Sequence, residues 1–255
     1  MSLSGKVAIV TGASGGIGRS SALEFAKQGA DVVVQYNANR MAAEMVANEI
    51  ATLGRRALLA QVDFADFKGS SRMVQGMVDA AVGKWGKVDF LVNLAGHPAK
   101  DEWSKPFLTL SPEDFFKPIY VDLFGSFLCS RSVAPHFLKQ KQGVIVNVSS
   151  TPALGGHDRG LAFTVAKAGV IGLTKALAVE LAPYVRVNTV ALGNVETEWV
   201  NELGEEELGR ARSENLIKRF GTPEEVAKVI AFLCSDDSAF VNGQTLVLDG
   251  GNVLH

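Results

Sequence analysis

The chain has 255 residues, of which 47% are hydrophobic and 20% are charged, and its formal net charge is −2. This composition supports a large buried core and argues against intrinsic disorder. A nearly neutral balance creates no broad basic field for nucleic acid or for an anionic membrane surface, so neither is an expected partner. The length fits one α/β domain with helices on both faces of its sheet.

The two cysteines, Cys129 and Cys234, are far apart and lie in apolar segments with a helical pattern. They are interpreted as small buried hydrophobic residues, which predicts neither a disulfide nor a metal site. The first apolar strand follows Met1 too soon for a secretion signal, and no run of about 18 apolar residues indicates a membrane span. We therefore expect a cytoplasmic protein.

Short β-branched apolar runs alternate with longer helical patterns along the chain, which is typical of βαβ units and a parallel sheet. Seven runs are predicted to be strands: 7–11, 31–35, 57–61, 90–93, 144–148, 185–192 and 245–248. Helical patterns cover about 16–28, 40–53, 67–84, 111–139, 160–181 and 223–233. Right-handed crossovers then predict a single doubly wound (Rossmann) domain over residues 1–255, a three-layer α/β/α sandwich with a seven-stranded, mostly parallel sheet.

The stretch from 195 to 219 interrupts this rhythm and is rich in Glu and Arg. Long excursions near strand ends often act as lids, so this stretch is a candidate substrate lid. A solvated pair of helices carrying Glu205, Glu206 and Glu207 is the alternative, and both interpretations stay open. Trp199 is the tryptophan best placed to touch a substrate.

A glycine-rich segment, Thr11-Gly12-Ala13-Ser14-Gly15-Gly16-Ile17-Gly18, follows the first predicted strand and opens a helix. Glycines let the backbone turn tightly and let a pyrophosphate approach the start of the helix, where unpaired N–H groups and the helix dipole favour negative charge. At the strand-to-helix turn of the first βαβ unit, this segment predicts a dinucleotide-binding site.

With this Thr-Gly-x-x-x-Gly-x-Gly spacing, the chain resembles the short-chain dehydrogenase/reductase family over about residues 3–251, and it is similar to the 3-oxoacyl reductases of that family, with the sugar and steroid dehydrogenase branches also open. Further matches are Asp63, Asn93-Leu94-Ala95-Gly96, Gly193-Asn194-Val195-Glu196-Thr197 and Asp249-Gly250-Gly251. The resemblance implies cofactor contacts from Thr11, Gly12, Ser14, Gly16, Ile17, Gly18, Asp63, Asn93, Ala95, Gly96, Lys167, Gly193, Val195 and Thr197. It also implies a homo-oligomer, usually a tetramer, assembled through the helices at 111–139 and 160–181.

The end of the second strand bears on which nicotinamide dinucleotide is preferred, because a carboxylate there would bind the ribose 2′-OH and repel a 2′-phosphate. This chain reads Gln35-Tyr36-Asn37-Ala38-Asn39-Arg40 and has no carboxylate at that point. Asn37, Asn39 and Arg40 can donate to phosphate, which favours NADP(H) and leaves NAD(H) as the alternative. Arg40 can equally be a solvated residue of the helix's first turn.

The resemblance also implies a catalytic Ser, a Tyr thirteen positions later and a Lys four positions beyond it. In that arrangement Tyr transfers the proton, Ser polarises the carbonyl, and Lys holds the nicotinamide ribose and lowers the pKa of the Tyr. Ser150 and Lys167 are in register, but Phe163 occupies the Tyr position and has no proton to donate. Asp122 stands where the family has Asn, and it can pair directly with Lys167; Leu192 replaces the Pro of a Pro-Gly pair.

Three interpretations of Phe163 stay open. The chain can still be an NADP(H)-preferring oxidoreductase for a small-molecule carbonyl or secondary alcohol, because losing general acid-base assistance costs about 10²- to 10⁴-fold. The stand-in donors would be His97, His157, Asp158 or a water held by Ser150. Alternatively, the chain binds the cofactor without redox chemistry, or Phe163 is a substitution made to trap a complex.

Overall fold

The computed structural model describes residues 2–98, 102–198, 200 and 204–254. One sheet of seven strands runs through this part of the chain in the order β3-β2-β1-β4-β5-β6-β7. The strands are β1 Val7–Val10, β2 Asp31–Tyr36, β3 Ala57–Gln61, β4 Phe90–Asn93, β5 Gly143–Ser150, β6 Val185–Leu192 and β7 Thr245–Leu248. The predicted doubly wound α/β sheet is confirmed, and its neighbouring strands pair in parallel.

Helices connect these strands and cover both faces of the sheet. They are α1 Gly16–Lys27, α2 Arg40–Thr52, α3 Ser70–Trp85, α4 Pro112–Pro118, α5 Gly125–Gln140, α6 Pro152–Gly155, α7 Leu161–Glu180, α8 Glu205–Glu214 and α9 Pro223–Cys234. Consecutive strand residues face opposite sides, so Val10 joins the core beneath α1, α2 and α9, whereas Ile9 joins the core beneath α3 and α5. Two apolar layers therefore enclose β1, β2 and β4, which are buried along their whole length.

The helix predicted at 67–84 begins three residues later, at Ser70. Asp66 causes the delay, because its Oδ1 accepts hydrogen bonds from the backbone N–H groups of Lys68 at 3.2 Å and Gly69 at 3.0 Å. A side-chain oxygen that binds nearby backbone N–H groups offers them an alternative to the helix. The segment before Ser70 is therefore a turn.

The helical pattern predicted at 111–139 is confirmed over residues 112–140, but this helix is not a regular α-helix throughout. Helix α4 ends at Pro118, a π-helical stretch follows over Ile119–Phe124, and α5 begins at Gly125. Pro118 has no backbone N–H and cannot continue the regular hydrogen-bond ladder. Such π-helical turns are often found at functional sites, and this one carries Asp122, which is 1% exposed.

Helix α7 is long and apolar, with a mean hydropathy of 1.5, so by length and composition alone it could span a membrane. The helix includes Lys167 and Lys175, so it is not the run of about 18 apolar residues that would indicate a membrane span. The helix packs against β5 and β6 and buries residues that include Ala166 and Val170. These contacts hold one side of the helix against the sheet, and they orient the segment that carries Lys167.

The excursion at 195–219 contains α8, which is largely exposed and polar. Trp199, residues 201–203 and the side chain of Glu207 lie outside the described residues. After α8 the chain returns to the domain at Ile217, whose backbone N–H donates to the Gly250 carbonyl at 3.2 Å. A substrate lid in this stretch stays a prediction.

Candidate active site

The glycine loop from Thr11 to Gly18 lies at the carboxyl end of β1, where the sheet order turns from β2 on one side to β4 on the other. Thr11 Oγ1 accepts the backbone N–H groups of Leu94 at 2.9 Å and Ala95 at 3.0 Å. These bonds tie the glycine loop to the loop that follows β4. Ligands of doubly wound sheets bind in the crevice at this switch point.

The glycine loop fits the pyrophosphate of a dinucleotide. A Cβ on Gly18 would overlap the carbonyl oxygen of Gly12, and a Cβ on Gly12 would lie 3.1 Å from the Ala95 backbone. Gly15 precedes α1 as its N-cap, and no side chain among the described residues caps this helix. The first-turn N–H groups are therefore left for an external anion, which is the arrangement that binds phosphate at helix starts.

The loop after β6 reaches the glycine loop from the other side. A Cβ on Gly16, where φ is +51°, would lie 3.6 Å from Thr197 Cγ2. Val195 forms an isolated bridge with Gly221. A Cβ on Gly193 would lie 2.6 Å from Asp249 Cβ, so Gly193 packs closely against Asp249. These contacts fix the positions of Val195 and Gly193. The predicted nicotinamide segment thus borders the same crevice as the predicted pyrophosphate loop.

Some predicted cofactor residues already have partners within the protein. Asn93 is buried, and its Nδ2 donates to Asn147 Oδ1 at 2.8 Å, so its side chain links β4 to β5. Asp63 Oδ1 accepts the Ala65 N–H at 2.9 Å. Arg40 Nε donates to Glu44 at 2.8 Å on the exposed surface of α2, which agrees with its interpretation as a solvated first-turn residue.

Asn37 and Asn39 lie just after the carboxyl end of β2, at the edge of the crevice. Asn37 is exposed, and its carbonyl accepts from Gln61 Nε2 at 3.0 Å, which leaves its side chain facing solvent. Asn39 caps α2 by accepting the Ala42 N–H at 3.0 Å. Asn37 is therefore an exposed residue at this turn whose side chain can meet a ligand.

The centre of the candidate catalytic region is a buried ion pair. Lys167 Nζ lies 2.7 Å from Asp122 Oδ1 and donates to the Val148 carbonyl at 3.1 Å. Asp122 is 1% exposed and Lys167 is 8% exposed. Asp122 Oδ2 accepts the backbone N–H of His97 at 2.9 Å. The predicted direct pair is confirmed, and it joins α7 to the loop after β4.

Ser150 and Phe163 flank this pair. Ser150 ends β5, and its Oγ donates to the Leu192 carbonyl at 3.2 Å. The Phe163 ring lies one helical turn before Lys167, with its centroid 5.6 Å from Nζ, and packs edge-on against Trp103 at 5.6 Å. An aromatic face attracts an ammonium group but has no proton to give.

Glu102 is a site residue that sequence reasoning missed. It is 7% exposed, its Oε2 lies 3.3 Å from His97 Nε2, and its Oε1 accepts from Lys117 Nζ at 2.7 Å. Burial raises the pKa of the Glu102 carboxyl, but hydrogen bonds from Lys117 and His97 outweigh burial and lower it overall. The group is therefore an anion at neutral pH. His157, another predicted donor, lies in a more exposed loop with Nδ1 3.1 Å from Asp158.

Comparison with known proteins assigns the family. The model of a family described as enoyl-(acyl carrier protein) reductase matches residues 12–252. The 3-oxoacyl-[acyl-carrier-protein] reductase of Thermotoga maritima is 39% identical over 258 residues, an alignment that covers 100% of both chains. The chain belongs to the short-chain dehydrogenase/reductase family.

Other proteins are similar to this member of the short-chain dehydrogenase/reductase family over nearly the whole length of both chains. The BbsD subunit of (2S)-[(R)-hydroxy(phenyl)methyl]succinyl-CoA dehydrogenase of Thauera aromatica is 38% identical, over 100% of this chain and 99% of that relative. A 7α-hydroxysteroid dehydrogenase, solved with NADH and 7-oxo glycochenodeoxycholic acid, superposes with a TM-score of 0.90 at 34% identity over 99% of this chain and 96% of that one. The predicted family and its oxidoreductase class are confirmed.

One further cavity in the part of the chain that the structure describes is lined by none of the candidate catalytic residues. A cavity of 260 Å³ lies at the opposite, amino-terminal edge of the sheet, beside Lys6, Asp89 and Arg186. Its charged residues already have partners: Lys6 pairs with Asp89 at 3.4 Å, and Arg186 donates to backbone carbonyls such as that of Leu233 at 3.0 Å. The candidate active site is therefore the crevice at the carboxyl edge of the sheet.

Proposed function

We propose that this protein is an NADP(H)-preferring oxidoreductase that interconverts a carbonyl and a secondary alcohol. The observation that carries the proposal is the buried Lys167–Asp122 pair beside Ser150, at the same sheet edge as the uncapped start of α1. Two of the three proteins named above, the Thermotoga maritima reductase and the Thauera aromatica subunit, have names that describe acyl groups carried by acyl carrier protein or CoA. We therefore propose a 3-oxoacyl thioester, or its 3-hydroxy form, as the substrate class.

The protein's own residues divide the work as follows. A bound nicotinamide dinucleotide would supply or accept the hydride. The glycine loop would hold the paired phosphates, Lys167 would hold the ribose as the family resemblance implies, and Ser150 would turn its hydroxyl from Leu192 to the substrate carbonyl. Asp122 neutralises Lys167, so the lysine has less power to lower the pKa of any neighbouring acid. Phe163 itself gives no proton, so another group has to.

We expect Phe163→Tyr to raise kcat/KM about tenfold, less than the 10²- to 10⁴-fold of a fully tuned general acid, because Asp122 screens Lys167. NADPH consumption is followed with a panel of acetoacetyl-CoA, a 7-oxosteroid and crotonyl-CoA, the last because the matching family description names enoyl reduction. Phe163→Leu is the control, since it changes the ring without adding a hydroxyl. If NADPH binds and only the Phe163→Tyr variant turns over, the natural chain is a cofactor-binding protein without redox activity.

The preference for NADP(H) is proposed from the exposed Asn37 at the end of β2. We expect Asn37→Asp to weaken NADPH binding about tenfold, because a carboxylate close to the 2′-phosphate costs about 1 kcal/mol per unit charge even in a watery environment. NADH binding stays the same or improves, since the carboxylate can accept from the ribose hydroxyl. Fluorescence titration measures both, with Asn37→Ser as the uncharged control. Equal losses for the two dinucleotides would contradict the preference.

We also propose a cytoplasmic homo-oligomer, a tetramer by family resemblance, with the 195–219 segment closing over the substrate. Apolar side chains are exposed along α4, α5 and α7, among them Phe116, Phe127, Leu138, Val165 and Val179. Contiguous exposed apolar surface marks contact sites. The free, buried cysteines Cys129 and Cys234 suit a reducing compartment.

A further inference from the structure

The loop after β4 brings a histidine to the catalytic pair. His97 directly follows Gly96, and a Cβ on Gly96 would lie 3.2 Å from Asp122 Oδ1 and 3.9 Å from Lys167 Nζ. The His97 backbone N–H donates to the other Asp122 oxygen at 2.9 Å. Strand β4 pairs with β5, the strand that ends in Ser150. His97 therefore belongs to the crevice in which a carbonyl bound by Ser150 would lie.

Glu102 holds the imidazole of His97. Its Oε2 lies 3.3 Å from Nε2, and because an ionised carboxylate only accepts hydrogen bonds, the neutral ring carries its hydrogen on Nε2. Lys117 holds the other Glu102 oxygen at 2.7 Å and thereby fixes the carboxylate. A carboxylate that accepts a hydrogen bond from one nitrogen of a histidine orients the ring. Nδ1 has no partner among the residues that the structure describes, so it is the atom free to act.

Trp103 links this dyad to the position of the missing hydroxyl. Its ring packs edge-on against Phe163, and it lies so close to Gly160 that a Cβ there would overlap it. Its carbonyl accepts the Gly160 N–H at 2.8 Å. These contacts hold Trp103 against the start of α7, beside Phe163 at the position of the family's tyrosine, and Glu102 is the residue that precedes Trp103 in the chain.

We infer that His97 donates the proton that the family's tyrosine usually gives, with Glu102 as its positioning residue; this rests on the proposed reductase function. In reduction, the carbonyl carbon gains the hydride and the electron pair of the C=O π bond moves to oxygen. That oxygen takes the Nδ1 proton of the imidazolium, whose N–H bond breaks and leaves a neutral ring. Solvent then returns one proton to Nδ1, and oxidation runs the same transfer in reverse.

A double-mutant cycle separates a donor from a structural residue. His97→Gln keeps an N–H for Glu102 but cannot supply a proton, so NADPH-dependent reduction of acetoacetyl-CoA falls about 100-fold. In the Phe163→Tyr background the same change lowers the rate of reduction only about threefold, because the added hydroxyl supplies the proton. Such non-additive effects are expected of two groups that serve the same step. NADPH affinity, measured by fluorescence titration, stays within about twofold in all variants. His136→Gln, a change on α5, is the matched control.

Each alternative result has a distinct meaning. Equal losses in both backgrounds make His97 structural and overturn the inference. NADPH binding with turnover only after Phe163→Tyr also overturns it, but leaves the cofactor and carbonyl sites standing. Absence of NADPH binding, or binding without turnover of any panel substrate by either chain, contradicts the proposed function itself, and the inference falls with it. Long-range proton–nitrogen NMR adds a check independent of activity: hydrogen on Nε2 of neutral His97 supports the dyad, and hydrogen on Nδ1 overturns it.

Discussion

Gly15→Asp is expected to weaken NADPH binding by at least about 100-fold while leaving the melting temperature unchanged. Gly15 has φ −161° and ψ 173°, an extended conformation that any residue adopts, and the nearest neighbour of an added Cβ is Glu198 Oε1 at 3.9 Å. An aspartate at the N-cap satisfies the first-turn N–H groups of α1 and competes for them. Two unit charges about 4 Å apart repel by about 4 kcal/mol at an effective dielectric constant of about 20, which more than accounts for the loss.

The control for this substitution is Gly15→Asn, which caps the helix equally well but carries no charge. The asparagine side chain occupies the same N–H groups, so we expect the affinity for NADPH to fall about tenfold, which corresponds to about 1.4 kcal/mol. Fluorescence titration gives the affinity and thermal unfolding gives the melting temperature. Undiminished NADPH binding by the aspartate variant would mean that the paired phosphates do not lie at the start of α1, and the cofactor site would have to be moved.

The strands and the cofactor loop could be predicted because their signals are local. The strands at 57–61, 90–93, 185–192 and 245–248 have the predicted limits, since each is a short segment rich in apolar residues. The glycine loop was recognisable because glycine is required at fixed spacing where backbone atoms approach one another, as Gly18 approaches Gly12.

The parts that escaped prediction depend on contacts between distant segments. Glu102 looks like any surface glutamate until the loop after β4 folds against α4 and brings Lys117 to it. The π-helical stretch at Ile119–Phe124 has an ordinary helical pattern, and only Pro118 indicates an interruption. The pairing of Asp122 with Lys167 was accessible because the family resemblance already placed both positions at one site.

Removing the lysine from the buried pair tests how far the fold depends on it. We expect Lys167→Met to lower the free energy of unfolding by about 3 kcal/mol, because the buried Asp122 carboxylate then has no cation beside it. In a protein of this size each kcal/mol moves the melting temperature by about 2–4 °C, so a drop of roughly 10 °C is expected. Methionine keeps most of the lysine's apolar stem, so the loss is due to charge more than to packing.

The double variant Lys167→Met/Asp122→Asn separates the lost charge partner from other damage. Asparagine keeps an oxygen for the His97 backbone N–H, which now bonds to Asp122 at 2.9 Å, but it needs no cation. We therefore expect the double variant to recover at least about 1.5 kcal/mol of the loss, a coupling typical of residues in direct contact. Urea denaturation measures both variants against Asp122→Asn alone. If the two losses simply add, Asp122 does not depend on Lys167 for its burial, and the pair contributes to catalysis without stabilising the fold.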